Sequence, residues 1–262
     1  MLRLDKNKII SFGESLFLSN DRYADMFEGL TASKAIVPIV TDKFGNLTTS
    51  SAVLIKYREK ILLLTALHCI DKSDYCERSV NFFDEGIGEL SNVDWCFCED
   101  FDFAFACLDN VDAKRIIEKK QYFELPSFQG ISKVSGTSRQ YFLSVGYPVS
   151  RNKKIKTKGI KREKIFLEQS IKKSSNDEIF CEYDRSNFFK PDGGGIKEMF
   201  HPLGMSGGAL IHLNTVYDAA IEMKSNFMIA GIITKYCKDK QMLVSTNMFV
   251  IKNVIENYFR GQ

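Results

Sequence analysis

A serine surrounded by glycines is the first group in this sequence that suggests chemistry. In the segment HPLGMSGGALIHL, residues 201–213, Ser206 lies among Gly204, Gly207 and Gly208. Glycine loses more conformational entropy on folding than any other residue, so three of them around one hydroxyl indicate a sharp turn or a close approach of the backbone. Two interpretations follow. The segment is a turn that leads into a buried strand, or it presents a serine beside backbone N–H groups, as oxyanion stabilisation requires.

A nucleophilic serine needs a base, and the base needs a carboxylate that orients it. The candidate bases are the three histidines of the chain, His68, His201 and His212. His68 ends the apolar run ILLLTALHC, where a buried strand emerges from the core. His201 lies five residues before Ser206 and His212 six residues after it, and this spacing excludes neither.

Four acidic residues near one strand are candidates for the orienting carboxylate. They lie in the segment CEDFDFAFACLD and are Glu99, Asp100, Asp102 and Asp109. Asp102 directly precedes an alternating apolar strand, so its carboxylate can lie buried beside an imidazole. A lone Asp before a strand is more often a cap or a turn residue.

Short apolar runs separated by turn signals fill most of the chain and predict an all-β fold. The runs form two groups, divided near residues 120–135, which predicts two antiparallel β-barrels over residues 33–125 and 126–245. Residues 1–32 are predicted to be an N-terminal extension with helical character around NDRYADMFEGL. A short helix is predicted in NVDAKRIIEKK, and apolar residues at helical spacing predict a C-terminal amphipathic helix within 246–262.

The overall composition argues against several classes of function. The 262 residues are 44% hydrophobic and carry a net charge of +3, which does not by itself indicate a nucleic-acid or membrane partner. No apolar run is long enough to span a bilayer, and the N-terminus lacks a secretory signal. The Cys96–Phe97–Cys98 pair is too close and too isolated for a zinc site, so we expect no metal or cofactor. The seven cysteines, without an export signal, predict free thiols and a cytoplasmic location.

Three motifs together resemble those of the trypsin-like serine peptidases. LTALHC resembles the T-A-x-H-C stretch of that family, DFAFACL its D-x-A-x-x-x-L stretch and GMSGGAL its G-x-S-G-G stretch. They occur in the order His, Asp, Ser, which distinguishes this family from the other two common hydrolase arrangements. The resemblance covers residues 33–245. It implies two β-barrels, a catalytic triad of His68, Asp102 and Ser206, and an oxyanion hole formed by the N–H groups of Gly204 and Ser206.

Two departures from the family pattern indicate an intracellular bacterial type. Met205 replaces the acid that pairs with a new N-terminus after zymogen cleavage, so activation by that route is not expected. Cys69 matches a disulfide cysteine of the family, but its expected partner around Thr49–Ala52 is missing. The resemblance implies an endopeptidase that cleaves protein or peptide substrates through an acyl-enzyme. It further suggests a regulated, target-restricted protease of stress or antiphage systems, with an activating partner protein.

The resemblance also places the wall of the specificity pocket. Phe200 and His201 are expected there, together with residues 233–236, and Thr234 fits the position that hydrogen-bonds near the triad. No acid is expected at the base of the pocket, so a preference for Lys or Arg is not implied. His201 and Lys235 would favour an acidic substrate side chain, and Phe200 an apolar one.

The sequence allows two interpretations for each of two loops, and it allows two rival functions. Gly193–Gly195 fit either a flexible loop or a mobile lid beside the specificity pocket. The basic stretch Arg151–Lys164 fits a nucleic-acid-binding module, but it lacks interleaved aromatic residues and is more typical of a solvated loop. The main rival to an enzyme is a catalytically inactive pseudoprotease that serves as a binding scaffold.

Overall fold

β-Strands make up most of the structure, which is a computed structural model. It describes residues 9–12, 15–18, 34–43, 46–70, 80–82, 88–90, 93–118, 120–125, 141–148, 165–169, 171–183, 188–189, 202–217 and 223–261. Residues 9–18 contain a hairpin of β1 (Ile9–Phe12) and β2 (Ser15–Leu18). The helical character predicted around NDRYADMFEGL lies outside the described residues.

The first sheet is built from strands between residues 36 and 124. The strands are β3 (Ile36–Lys43), β4 (Asn46–Tyr57), β5 (Lys60–Ala66), β6 (Val80–Phe82), β7 (Gly88–Leu90), β8 (Trp95–Cys98), β9 (Phe103–Cys107) and β10 (Phe123–Glu124). Their hydrogen-bonded order is β7-β6-β3-β4-β5-β9-β8, and β10 pairs with β4. Helix α1 (Asn110–Ile117) connects β9 to β10, and the Asp109 side chain caps it by accepting from the Asp112 N–H at 2.7 Å.

The second sheet is built from strands between residues 141 and 247. The strands are β11 (Tyr141–Gly146), β12 (Ile165–Gln169), β13 (Ile171–Ser174), β14 (Glu178–Glu182), β15 (Phe188–Phe189), β16 (Ala209–Tyr217), β17 (Met223–Cys237) and β18 (Met242–Asn247). Their hydrogen-bonded order is β13-β14-β18-β17-β16-β11-β12-β15. Helix α2 (Met248–Arg260) follows β18 directly.

These two sheets confirm the predicted all-β, two-barrel class with a C-terminal helix. The pairing is antiparallel throughout the described strands except between β10 and β4, which run parallel over two residue pairs. The sequence pattern did not predict this exception, because the direction in which a two-residue strand joins a sheet depends on the path of the connection before it.

A shared hydrophobic core joins the two sheets and α2. It contains Leu64 and Phe103 from the first sheet, Ile211 from the second and Ile251 from the helix, each at most 1% exposed. The helix begins at a capped residue, because the Asn247 side chain accepts from the Phe249 N–H at 3.1 Å. Burying one stripe of α2 in this core fixes the end of β18 against both sheets.

Neither a membrane-spanning helix nor a metal cluster is found in the part of the chain that the structure describes. No helix there is long and apolar enough to cross a membrane. No three His, Cys, Asp or Glu side chains there lie close enough together to hold a metal ion. The described cysteines, Cys69, Cys96, Cys98, Cys107, Cys181 and Cys237, form no disulfide bond.

Candidate active site

The strand order brings His68 and Asp102 together. β5 and β9 are antiparallel neighbours, with Ala66 opposite Phe103, so the end of β5 and the start of β9 share one edge of the first sheet. A 3-10 turn, Leu67–Cys69, follows β5 and carries His68. Asp102 directly precedes β9 and has a left-handed backbone, with φ 49° and ψ 43°.

Both oxygens of the Asp102 carboxylate accept hydrogen bonds from His68. The backbone N–H donates to Oδ1 at 3.2 Å, and ring Nδ1 lies 2.8 Å from Oδ2. Because an ionised carboxylate can only accept, the Nδ1 atom carries a proton, and Nε2 can act as a base once the ring has lost its other proton. The Asp102 side chain is 41% exposed. Its position directly before a strand allowed a buried carboxylate, but the carboxylate is only partly buried.

The pKa of His68 is raised by its surroundings. The hydrogen bond with Asp102 is the largest cause, the neighbouring Cys69 side chain adds to it, and burial opposes it, with the pKa moving from 6.5 to about 10. A raised pKa means that the folded protein stabilises the imidazolium. The contribution of His68 to folding stability is therefore complete below pH 6.5 and is lost as the pH rises through about 10.

Backbone contacts hold the Asp102 segment in place from two directions. The Leu67 N–H donates to the Asp102 carbonyl at 3.0 Å, which ties the turn at His68 to the 3-10 turn Glu99–Phe101 that precedes Asp102. From the second sheet, the Thr246 hydroxyl donates to the carbonyl of Phe101 at 2.7 Å. The acid is thus positioned by both halves of the molecule.

Two successive reverse turns, residues 202–205 and 205–208, present Ser206, which is the second residue of the second turn. In the first turn the Met205 N–H donates to the Pro202 carbonyl at 3.0 Å, and in the second the Gly208 N–H donates to the Met205 carbonyl at 2.8 Å. The third residues of these turns, Gly204 and Gly207, have φ of 93° and 83°. A positive φ at that place is typical of a type II turn.

The turns leave two N–H groups of this segment unused. Among residues 204–208, the N–H groups of Met205 and Gly208 close the turns, and that of Gly207 donates to the Ile233 carbonyl at 2.7 Å. No residue that the structure describes accepts from the N–H of Gly204 or Ser206. Two such donors beside a serine hydroxyl are what a developing oxyanion requires.

Met205 anchors the same turns in an apolar pocket. Its side chain is 0% exposed and packs with Tyr183, which follows β14, and with Ile233 and Leu243 of the second sheet. An acid at this place would need a buried cationic partner, whereas a thioether needs none. The turn is therefore held by packing, without the ion pair that a new N-terminus would provide.

Gly207 is required because the turn crosses the first sheet closely. A Cβ atom at this position would overlap with the Ser51 carbonyl oxygen and with Thr65 Oγ1. The first of these atoms belongs to the backbone and cannot rotate away. Glycine alone allows this approach and the positive φ together.

We expect Gly207→Ala to destabilise the fold strongly. The left-handed backbone alone costs about 1–3 kcal/mol for a side chain, and the overlap with Ser51 adds to that. Urea denaturation measures the loss. Gly261→Ala is the matched control, because its Cβ atom would lie 3.7 Å from the nearest atom, an ordinary contact. Equal free energies of unfolding for the two variants would contradict the crowding at Gly207.

Ser206 joins the first sheet through its backbone. Its carbonyl accepts from the Ser51 N–H at 3.0 Å, and the Ser51 carbonyl accepts from Thr65 Oγ1 at 2.7 Å. Thr65 lies on β5, three residues before His68. In the described part of the chain the Ser206 hydroxyl has no hydrogen bond to His68. Such bonds are commonly long without substrate and shorten when it binds.

Comparison with known proteins gives structural matches only. No protein-family model matches the sequence, and no curated protein does either. A serine endoprotease from Yersinia pestis is 14% identical with a TM-score of 0.53, and the match covers 88% of this chain and 64% of that one. A scabies mite inactivated protease paralogue is 13% identical with a TM-score of 0.50, covering 88% and 97%. A Glu endopeptidase is 15% identical with a TM-score of 0.49, covering 88% and 92%.

The chain has the trypsin-like fold. The first sheet carries His68 and Asp102 at the ends of its strands. The turn that precedes β16 of the second sheet carries Ser206. One neighbour is an inactivated protease, so the fold by itself leaves catalytic activity open.

The predicted pocket residues are only partly within the described structure. Thr234 is buried, and its hydroxyl donates to the Val244 carbonyl at 3.4 Å rather than to the His68–Asp102 pair. Lys235 is exposed on β17, next to an irregularity in the pairing with β18. Phe200 and His201 lie outside the described residues, as do Gly193–Gly195 and Arg151–Lys164.

His212 lies within strand β16 and not in the turn that carries Ser206. It lies on β16 three residues beyond the first strand residue, about 10 Å along the strand at roughly 3.3 Å per residue. Its ring is buried and stacks on Phe142, with 4.7 Å between ring centroids and 18° between planes. Burial lowers the pKa of His212 from 6.5, so the folded protein favours the neutral ring.

We expect His212→Phe to flatten the loss of stability in acid. Because the folded pKa lies below the unfolded value of 6.5, the unfolded chain binds more protons below that pH, and stability falls as the pH falls. Phenylalanine keeps the stacking on Phe142 and removes the titration. Urea denaturation of both proteins between about pH 7 and pH 5, a range that spans the ordinary pKa of histidine, measures the difference. An identical pH slope for both would contradict a neutral, buried His212.

The sequence patterns did not identify Ser51 as part of the site, nor the hydrogen bond that the Thr65 hydroxyl donates to the Ser51 carbonyl. Thr65 lies inside the LTALHC motif, so the motif itself could have indicated a role. Ser51 belongs to the Ser50–Ser51 pair on β4, and nothing in the sequence distinguishes it from its neighbour. Its contacts depend on a turn 153 residues away, which local pattern does not predict.

Proposed function

We propose that this protein is a serine endopeptidase that hydrolyses peptide bonds in protein substrates. The observation that carries the proposal is the turn at Ser206, where the N–H groups of Gly204 and Ser206 have no acceptor among the described residues. The His68–Asp102 pair, in which the carboxylate lies 2.8 Å from ring Nδ1, supports it independently. The trypsin-like fold is compatible with this chemistry but does not by itself require it.

In the proposed reaction Ser206 Oγ attacks the carbonyl carbon of the scissile bond, and His68 Nε2 accepts its proton. The Gly204 and Ser206 N–H groups stabilise the oxyanion. His68 then gives the proton to the leaving amine as the C–N bond breaks. Water attacks the acyl-enzyme with His68 again as base, and the carboxylic acid leaves as Ser206 regains its proton. Asp102 holds the ring in the tautomer that this sequence needs.

The edge of β17 offers a place for the substrate backbone. Its pairing with β16 ends at Ile232, while its pairing with β18 continues to Cys237. The carbonyl and N–H of Ile233 are bonded to Gly207 and Gly208, so an extended peptide can add along β17 beyond Ile233, which is a recurring mode of peptide recognition. Lys235 is exposed on this stretch and supports, with His201, the hypothesis of an acidic side chain in the pocket. Restriction to few targets, a partner that activates the enzyme, and a role in stress or antiphage defence stay predictions.

A fluorophosphonate probe tests the proposed function. We expect the folded protein to gain the mass of one phosphonyl group, located by peptide mass spectrometry on Ser206, because the probe reacts with serines activated by a base and an oxyanion hole. Protein unfolded in urea is the control and should remain unlabelled. A folded protein that gains no label would overturn the proposal and favour the pseudoprotease scaffold.

A further inference from the structure

The Ser51 side chain connects the first sheet to the oxyanion turn. It is 0% exposed, and its hydroxyl donates to the Gly204 carbonyl at 3.0 Å. The same oxygen accepts from the Tyr147 N–H at 2.9 Å. One buried hydroxyl thus bonds two backbone groups of the second half of the molecule, so its removal would break both hydrogen bonds in a buried site.

The Ser51 backbone holds the same turn at a second point. Its N–H donates to the Ser206 carbonyl at 3.0 Å, so Ser51 binds the carbonyls on both sides of the Met205–Ser206 peptide. That peptide carries the Ser206 N–H. Because peptide groups are planar, fixing the two neighbouring groups restricts the direction in which this N–H points.

The Ser51 carbonyl is tied in turn to β5. It accepts from Thr65 Oγ1 at 2.7 Å, and β5 ends two residues before His68. Ser51 therefore links the strand that carries the base to the turn that carries the nucleophile and the oxyanion donors.

We propose that Ser51 is a positioning residue that sets the oxyanion turn in its working geometry relative to His68. This proposal rests on the proposed function. Ser51 does not touch the substrate in this scheme; it acts through the Gly204 and Ser206 carbonyls. Small displacements of reacting groups are costly in enzymes, since about 1 Å can lower the rate by on the order of 10²-fold.

Ser51→Ala is the test, and the chain offers a matched control beside it. Ser50 is also buried, on the same strand, but its hydroxyl has no hydrogen-bond partner within the described residues. Ser50→Ala therefore removes the same atom without removing a contact. Ser51→Cys fills the space of serine with a weak donor and acceptor, so it should give an intermediate result.

Two measurements are made on wild type and the three variants. The first is the rate constant of fluorophosphonate labelling, normalised to the final fraction of labelled protein, with kcat and KM for a peptide substrate. We expect Ser51→Ala to lower the rate constant and kcat by up to about 10²-fold, with KM little changed, and Ser50→Ala to match wild type. Misfolding would lower the labelled fraction and leave the normalised rate unchanged.

The second measurement is amide hydrogen exchange in peptides that cover residues 144–148 and 202–208. We expect faster exchange there in Ser51→Ala than in Ser50→Ala. If wild type takes no label, the proposed function fails, and exchange alone decides whether Ser51 holds the turn. Equal exchange and equal normalised rates in Ser51→Ala and Ser50→Ala would overturn the positioning role. If Ser51→Ala does not fold, Ser51→Cys is compared with Ser50→Ala by the same criteria.

Discussion

Ser206→Ala is expected to abolish fluorophosphonate labelling and to lower kcat for peptide hydrolysis by on the order of 10⁶-fold. Alanine lacks the oxygen that forms the acyl-enzyme, so only substrate binding and the oxyanion donors remain to assist attack by water. The turn should be preserved, because its described hydrogen bonds use the backbone and the Ser51 hydroxyl. Single-turnover hydrolysis of a peptide measures the loss.

A second buried serine provides the control for Ser206→Ala. Ser144 is 0% exposed on β11, and its hydroxyl has no hydrogen-bond partner in the described part of the chain. Ser144→Ala should label and hydrolyse peptide like wild type. Labelling that persists in Ser206→Ala would show that another side chain is the nucleophile, and the proposed role of Ser206 would be wrong.

Asp102→Asn is expected to lower kcat by about 10⁴-fold. The amide nitrogen of the substituted side chain is a donor, so it cannot accept from His68 Nδ1. The ring then favours a proton on Nε2, the atom that must be unprotonated to act as base. The loss of kcat comes from the tautomer. Because the contact that raises the pKa of His68 is lost as well, urea denaturation at neutral pH should show a lower free energy of unfolding than in wild type.

The pH profile separates this effect from simple damage. In wild type His68 must lose its proton to act as base, and its pKa is raised, so kcat/KM should increase with pH along a limb that lies above 6.5 and towards about 10. In Asp102→Asn the largest cause of that shift is gone, and the limb should move down. Asp100→Asn is the control, because it makes the same change in charge on an exposed neighbour. Activity of Asp102→Asn within about tenfold of wild type would contradict the orienting role, which predicts a far larger loss.

The sequence was sufficient to predict most of the longer strands, whereas the roles assigned to His68, Asp102 and Ser206 stay predictions. Apolar runs such as ILLLTA and FAFAC are strands buried along nearly their whole length, as short continuous apolar runs predict. Gly204 and Gly207 indicated turns, and both have the positive φ that favours glycine. These properties are local, so a window of a few residues contains the information.

Long-range contacts could not be predicted in this way. The position of Asp102 before a strand allowed a buried carboxylate, yet its side chain is 41% exposed, because exposure depends on what packs over the start of β9. Thr234 was expected to bond near the triad, yet its hydroxyl faces the Val244 carbonyl across an irregularity in the β17–β18 pairing. A shift of register redirects side chains, and register is set by the whole sheet.

The sequence by itself determined which residues can do chemistry here and the order in which the chain presents them. A histidine after an apolar run, an acid before another and a serine among glycines follow from composition and spacing alone. Only the tertiary structure decided that β5 and β9 are neighbours, which joins His68 to Asp102, and that the turn at Ser206 crosses β4 at Ser51. The reason is physical: residues far apart in the chain meet only where burial of the two sheets on one core brings their edges together.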